Sequence, residues 1–152
     1  MSHYNDFKTQ ITDPMALVRA LKRVRTRTHP WTEKDIEVHG TAVALYGYHG
    51  DKRAQTANIV IRRHNVQGAA NDLGFVMEKD GTYTAIISDY DQSYYNKTWQ
   101  AELYTYYNVE KSKMEFESHG IEYEESKDEV GRIVVQGKFK QTNEPGKVAV
   151  HL

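Results

Sequence analysis

Residues 11–24 read ITDPMALVRALKRV, and this stretch decides the first half of the fold. The Asp13 carboxylate can accept hydrogen bonds from the free amides of a helix start, and Pro14 suits the first helical position, where no N–H is needed. The apolar side chains recur with helical period, at Leu17, Val18, Leu21 and Val24. The stretch therefore predicts an amphipathic helix that begins at Asp13.

Strand patterns flank this helix on both sides. Before it, Phe7, Thr9 and Ile11 alternate with polar residues, which is the period of a half-buried strand. After it, residues 25–37 have no period and predict a loop. Four further strand patterns follow, at residues 38–48, 57–61, 73–77 and 83–87. Because Asp80-Gly81 is a strong hairpin signal, these strands predict an antiparallel meander.

The second half of the chain predicts another helix and another hairpin. The helix runs from near Lys97 to Ser118, and Gly120 can end it in the left-handed conformation. Segments 121–125 and 132–139 then predict a hairpin around residues 128–131. Residues 141–152 predict a C-terminal tail or an edge strand.

These elements predict an α+β fold with the order β-α-β-β-β-β-α-β-β. Each helix has one apolar stripe and each strand one apolar face, so packing both helices on one face of an antiparallel sheet satisfies the pattern. We expect a single domain over residues 1–140, followed by the 141–152 segment. The architecture predicted from the sequence is a ferredoxin-like variant.

Composition excludes several classes of protein. The chain has 152 residues and no cysteine, so it can form neither a disulfide nor a thiolate metal site. Its first residues lack the pattern of a signal peptide, and no apolar run approaches the roughly 18 residues of a membrane span. We expect a cytoplasmic protein that does not insert into a membrane.

Charge is distributed unevenly along the chain. Residues 1–70 carry eleven Lys and Arg against six Asp and Glu, a net charge of +5. Residues 71–152 carry nine against fifteen, a net charge of −6. Such asymmetry suits an anionic partner on one side or head-to-tail self-association.

Several segments resemble one family of small proteins. They are Met1-Ser2-His3, Lys8-Thr9-Gln10-Ile11 with Asp13, Leu17 and Ala20-Leu21, then residues 57–62, 72–75 and 99–107. This pattern is similar to the hypothetical chloroplast reading frame thirty-five family, a domain of unknown function found in cyanobacteria, algal plastids and some viruses. The chain departs from it in the basic stretch after the first helix, in residues 68–70 and at Pro145-Gly146. The resemblance implies a plastid stroma as the alternative location, and it implies no activity.

No catalytic, metal or cofactor site is predicted. No two of the seven histidines have the i, i+4 spacing that places ligands on one helical face. Asp89-Tyr90-Asp91 could present two carboxylates to a cation, but a turn between strand and helix is the favoured explanation. Neither a G-x-S-x-G motif nor a glycine-rich phosphate loop occurs.

A basic stretch is the first candidate binding surface. It contains Arg19, Lys22, Arg23, Arg25 and Arg27, followed by Trp31. Clustered cations bind phosphates by releasing counterions, and an exposed indole can stack on an unpaired base. The alternatives are a solvated helix face or docking onto acidic residues of another subunit, among them Glu115, Glu117, Glu122, Glu124 and Glu125.

An aromatic cluster is the second candidate surface. Its members are Tyr90, Tyr94, Tyr95, Trp99, Tyr106 and Tyr107. They exceed what one helix face can bury, and such side chains are enriched in interfaces. The leading hypothesis is a non-enzymatic accessory protein that binds a protein partner or itself. Nucleic-acid binding by the basic stretch is the alternative, and an enzyme with a site not visible in the sequence comes third.

Overall fold

Five antiparallel strands form the larger sheet in the computed structural model, which describes residues 2–140 and 145–151. The strands are β1 (Tyr4–Lys8), β2 (Ile36–Tyr46), β3 (Lys52–Ile61), β4 (Leu73–Met77) and β5 (Tyr83–Ser88). Strands β2 to β5 pair in succession, which confirms the predicted meander. β1 completes the order β1-β5-β4-β3-β2 by pairing with β5, where Tyr4 lies opposite Ser88.

Two helices, one short and one long, cover one face of this sheet. Helix α1 (Pro14–Leu21) begins as predicted, because the Asp13 side chain accepts hydrogen bonds from the N–H groups of Met15 and Ala16. A short helix, α2 (Arg63–Val66), was not predicted. Helix α3 (Lys97–Ser118) has the predicted bounds and is followed by Gly120 with φ of +65°. Buried side chains of α1 and α3 share one core with the sheet, including Leu17, Leu21, Ile59, Phe75, Ile87, Trp99 and Leu103.

A second, three-stranded sheet packs against the C-terminal half of α3. Its strands are β6 (Glu122–Lys127), β7 (Ile133–Lys140) and β8 (Pro145–His151), in the order β6-β7-β8. Residues 141–144 and 152 of the predicted tail lie outside the described residues. A separate small core joins this sheet to the helix and contains Val109, Phe116, Ile133 and Val135. A side chain at Gly137 would lie 2.5 Å from the Phe116 ring, so the contact requires glycine there.

The α+β class is confirmed, but the predicted element order and the ferredoxin-like variant are not. The chain adds α2 and a 3₁₀ turn at Asp91–Ser93, and its strands divide into two sheets. β8 lies at the edge of the second sheet, which is the edge-strand alternative predicted for the C-terminal segment. The length of α3 explains the division. Its 22 residues span roughly 33 Å, whereas strands of five or six residues span about 17–20 Å. The helix therefore carries the chain past the ends of the short strands β1, β4 and β5 before the last strands begin.

The β2–β3 hairpin bends over the second face of the larger sheet. The pairing register of β2 and β3 shifts between Val38 and Val43. At this shift the side chain of Asn58 in β3 makes hydrogen bonds in place of backbone–backbone bonds. Its side-chain amide donates to the carbonyls of His39 and Gly40 and accepts from the Met77 N–H at 2.9 Å. Leu45, Ala57, Val60 and Ile86 form a small core on this face. The bend brings the hairpin turn to the end of the sheet, beside the loop before β4.

Among the described residues, no helix combines the length and the apolar character needed to cross a membrane.

Candidate functional site

Most of the predicted basic stretch binds acidic side chains of the same chain. Arg19 contacts Glu110 at 2.9 Å and Glu117 at 2.8 Å, and Arg23 contacts Glu110 and Glu125, both at 2.7 Å. Lys113 adds a contact of 2.6 Å to Glu125. We call these six residues the arginine–glutamate network. Two of the acidic residues considered as docking points on another subunit, Glu117 and Glu125, thus bind Arg19 of α1 and Arg23 just after it within one chain.

The remaining basic residues of the stretch also contact side chains of the same chain. Lys22 lies 2.5 Å from Glu33, and Arg25 lies 2.8 Å from Glu102. The guanidinium groups of Arg25 and Arg27 lie 4.6 and 5.8 Å from the centre of the Tyr94 ring. Cation–π contacts of this kind hold arginines against the protein.

Trp31 is in the core, which corrects its predicted place on a binding surface. It is 1% exposed, its ring stacks on Tyr95 at 5.9 Å, and its Nε1 donates to the Asn65 carbonyl at 2.8 Å. The loop 25–37 folds inward because the indole stacks on Tyr95 and meets Trp99 edge-on there. In this structure the ring cannot stack on a base.

Most of the predicted aromatic interface is also buried. Tyr95, Trp99 and Tyr107 are at most 3% exposed, and their polar atoms bond to backbone groups of the protein. Tyr94 and Tyr106 are half-buried, each beneath an arginine side chain. Tyr90, at 51% exposure, is the one member of the predicted set that is largely open to solvent.

The arginine–glutamate network makes stability depend on pH. Hydrogen bonds from Arg19, and then from Tyr123, hold the pKa of the Glu117 carboxyl at about 2, below its usual 4.5. Arg23 likewise holds the pKa of Glu125 at about 2. Because both values are lower in the folded chain than in the unfolded chain, the stabilisation is complete above about pH 4.5 and is lost as the pH falls toward 2.

We expect the urea midpoint of the wild type to be lower at about pH 3 than at about pH 6. The decrease should be smaller in a variant that carries both Glu117→Gln and Glu125→Gln. Urea titrations monitored by circular dichroism at both pH values measure the difference. Glu129→Gln, in the turn between β6 and β7, is the control and should follow the wild type. An equal decrease of the urea midpoint at low pH in the wild type and the double variant would show that Glu117 and Glu125 do not cause the pH dependence.

A pocket of about 670 Å³ lies where Tyr90 meets the β2–β3 turn. Three turns and the N-terminal segment form its wall, with Ser2, Tyr48, His49, Asp51, Arg53, Ala69, Asn71, Asp89 and Tyr90. We call it the aromatic pocket. Tyr48 is 49% exposed and Tyr90 is 51% exposed, so both rings are available to a ligand.

Buried hydrogen bonds hold the turns around the aromatic pocket in place. Asp91 is buried and accepts from Gln67 Nε2 at 2.7 Å, from the Asn71 N–H at 3.0 Å and from Ser88 Oγ at 2.7 Å. Asn71 in turn accepts from the Tyr48 N–H at 2.9 Å. Three separate segments are thereby joined, so the pocket is pre-formed and its rings have a rigid support.

One cation and two carboxylates determine the charge of the aromatic pocket. The Arg53 side chain is 13% exposed, donates to the Ser2 carbonyl at 2.6 Å and lies 4.9 Å over the Tyr4 ring. Asp51 is 3.9 Å from Arg53, and its Oδ1 is buried without a hydrogen-bond partner among the described residues. Asp89 is exposed at the rim. Burial, and then the charge of Asp72, raises the pKa of Tyr4, so this ring stays neutral.

The two carboxylates of Asp89-Tyr90-Asp91 are not brought to one site. Asp91 binds the buried groups described above, whereas Asp89 accepts from the side chain of Asn5. Within residues 2–140 and 145–151, no group of three or more His, Asp or Glu side chains could hold a metal ion.

Tyr48, Asp51 and Arg53 were missed as site residues by sequence reasoning. The one local signal was the Gly47 to Asp51 turn, where the Gly47 N–H donates to the Asp51 carbonyl and Gly50 has φ of +75°. Comparison of the chain with protein-family models, with curated proteins and with solved structures gives no match.

Proposed function

We propose that this protein is a non-enzymatic binding protein that holds a protein partner at the aromatic pocket. The observation that carries the proposal is the pair of half-exposed rings, Tyr48 and Tyr90, on a support fixed by buried hydrogen bonds. Tyrosine at a rigid concave site combines apolar area with a polar tip, which is the usual composition of a recognition surface. The proposed class of function is the one predicted from the sequence, but the proposed contact surface is the aromatic pocket and not the aromatic helix.

The charge of the pocket favours a cationic side chain from that partner. Asp51 and Asp89 outnumber Arg53, which is itself mostly buried against Tyr4. Aromatic ring faces attract ammonium and guanidinium groups, and Tyr48 and Tyr90 both offer rings at this site. We therefore propose a partner segment that inserts a lysine or arginine side chain. Phosphates would find no excess of positive charge here.

Short peptides test the proposal directly. We expect acetylated and amidated peptides with a central arginine or lysine to shift the backbone amide resonances of Tyr48, His49 and Tyr90 in nuclear magnetic resonance titrations. A variant with both Tyr48→Leu and Tyr90→Leu should bind them about tenfold more weakly or worse, since each cation–π contact contributes about 0.5–2 kcal/mol.

The matched control is Tyr104→Leu, because Tyr104 is an exposed tyrosine on α3 away from the pocket. This variant should bind the same peptides with wild-type affinity. A matched peptide with a central glutamate is the control ligand. Stronger binding of this glutamate peptide, equal binding by the double variant, or no binding of any peptide would refute the proposal. The family resemblance stays a prediction and contributes no activity to it.

A further inference from the structure

The outer edge of β1 has unpaired backbone groups. β1 lies at one end of the five-stranded sheet, and β5 is its one partner among the described residues. The Asp89 N–H donates to the His3 carbonyl at 2.8 Å, so His3 and Asp89 form a hydrogen-bonded pair. Because such pairs alternate along an antiparallel ladder, Asn5 and Phe7 also bond to β5. The N–H and C=O groups of the even-numbered residues of β1 therefore point away from the sheet.

The side chains of β1 differ on the two faces of the sheet. Phe7 packs against the core on the helix face. Asp6 and Lys8 are exposed on the other face. Charges on an edge strand usually prevent pairing with another strand, since most registers bring like charges together or leave them unmatched. Here the two charges have opposite signs and lie two residues apart.

We infer that β1 pairs antiparallel with β1 of a second copy of this chain, in the register that places Phe7 opposite Phe7. This register sets Asp6 of each copy opposite Lys8 of the other, and cross-strand pairs of opposite charge stabilise a sheet. It also makes the even-numbered residues the hydrogen-bonded pairs, which matches the groups that point outward. Phe7 then occupies the non-hydrogen-bonded pair, where the Cα atoms lie about 4.5 Å apart and side chains approach most closely.

Charge selects this register over its neighbour. A pairing centred on Asp6 would use the same outward backbone groups, but it would set Asp6 opposite Asp6, which is destabilising. A shift by a single residue would instead present the backbone groups that already bond to β5. The pairing centred on Phe7 thus uses the outward backbone groups and is the register that sets Asp6 opposite Lys8.

A cleft lies beside the edge of β1 with which the second copy would pair. It has a volume of about 350 Å³ and lies between the end of β1 and the first half of α3. Phe75, Ala85, Ala101 and Leu103 line it. Gln100 also lines it, and its Nε2 is buried without a hydrogen-bond partner among the described residues. Because Phe75, Ala85 and Leu103 are already at most 2% exposed, the cleft adds little apolar area to the pairing, and the inference rests on the backbone and the charges of β1.

Charge exchange tests the inference, which does not rest on the proposed function. Sedimentation equilibrium over a range of protein concentrations should show the wild type passing from monomer to dimer. Asp6→Lys and Lys8→Asp should each weaken the dimer about tenfold or more, because each substitution sets like charges opposite one another twice. An equimolar mixture of the two single variants should form a heterodimer, since every cross-strand pair is then again Asp with Lys.

The double variant, with both Asp6→Lys and Lys8→Asp, should recover the wild-type dimer. Glu129→Lys makes the same change in net charge as Asp6→Lys but lies in the turn between β6 and β7, so it should dimerise normally. A wild type that is monomeric at every concentration would overturn the inference. So would a dimer that neither single variant weakens, or a double variant that fails to recover it while keeping a native circular dichroism spectrum.

Discussion

Replacing Glu110 by glutamine is expected to lower the free energy of unfolding by about 3 kcal/mol. The Glu110 carboxylate is buried and contacts Arg19, Arg23 and Lys113. Burial raises its pKa, but the hydrogen bonds from Arg23 and Arg19 outweigh burial, so the net pKa lies below the usual value. The neutral amide would leave the three cations without their common anion, and removing one partner of a buried ion pair typically costs 3–5 kcal/mol.

Urea unfolding measures this loss, and Glu115→Gln is its control. Glu115 is exposed on the same helix and contacts His119 at 3.1 Å. A surface pair of this kind contributes less than about 1 kcal/mol, so the control should unfold close to the wild type. Equal effects of the two substitutions would show that the arginine–glutamate network does not join α1 to α3.

Trp31→Ala is expected to destabilise the protein by about 3–5 kcal/mol, the usual cost of deleting a large buried aromatic side chain. The indole stacks on Tyr95, meets Trp99 edge-on at 6.2 Å and donates a hydrogen bond to Asn65. Its removal would leave a cavity and would take one of two hydrogen bonds from the Asn65 carbonyl, which also accepts from Thr28 Oγ1 at 2.7 Å. Thermal unfolding followed by circular dichroism measures the loss.

Trp31→Phe helps to distinguish a role of the indole in core packing from a role in surface recognition. Phenylalanine keeps an aromatic ring beside Tyr95 and loses the hydrogen bond to Asn65, so it should cost less than alanine. If Trp31→Ala instead kept wild-type stability and weakened binding of single-stranded oligonucleotides, the indole would act at the surface, contrary to the structure.

Local patterns predicted the helices and hairpins well because their causes lie within a few residues. Asp13 and Pro14 fix the start of α1 through a side-chain cap and a restricted backbone. Gly81 supplies the positive φ of the β4–β5 turn, and Gly120 follows the end of α3. Each of these signals acts without help from the rest of the chain.

The binding residues could not be predicted in the same way, because their environment comes from distant parts of the chain. The hydrogen bond from Arg23 to Glu125 joins residues that are 102 positions apart, and no neighbour of Arg23 in the sequence predicts it. Trp31 follows a proline in a segment without period, yet a loop side chain becomes buried when aromatic neighbours from α3 surround it. Tyr48 and Tyr90 lie on turns that only the bent β2–β3 hairpin brings together.

The pairing of β1 with β5 determines the order in which the strands can fold during synthesis. Asn5 and Asp89 are 84 residues apart, which at 5–20 residues per second corresponds to roughly 4–17 seconds of translation. The hairpins from β2 to β5 can close as they leave the ribosome, because their partners follow directly along the chain. β1 has no such neighbour, and contacts between distant segments form slowly. The first strand to be made is therefore the last strand of the larger sheet to be completed.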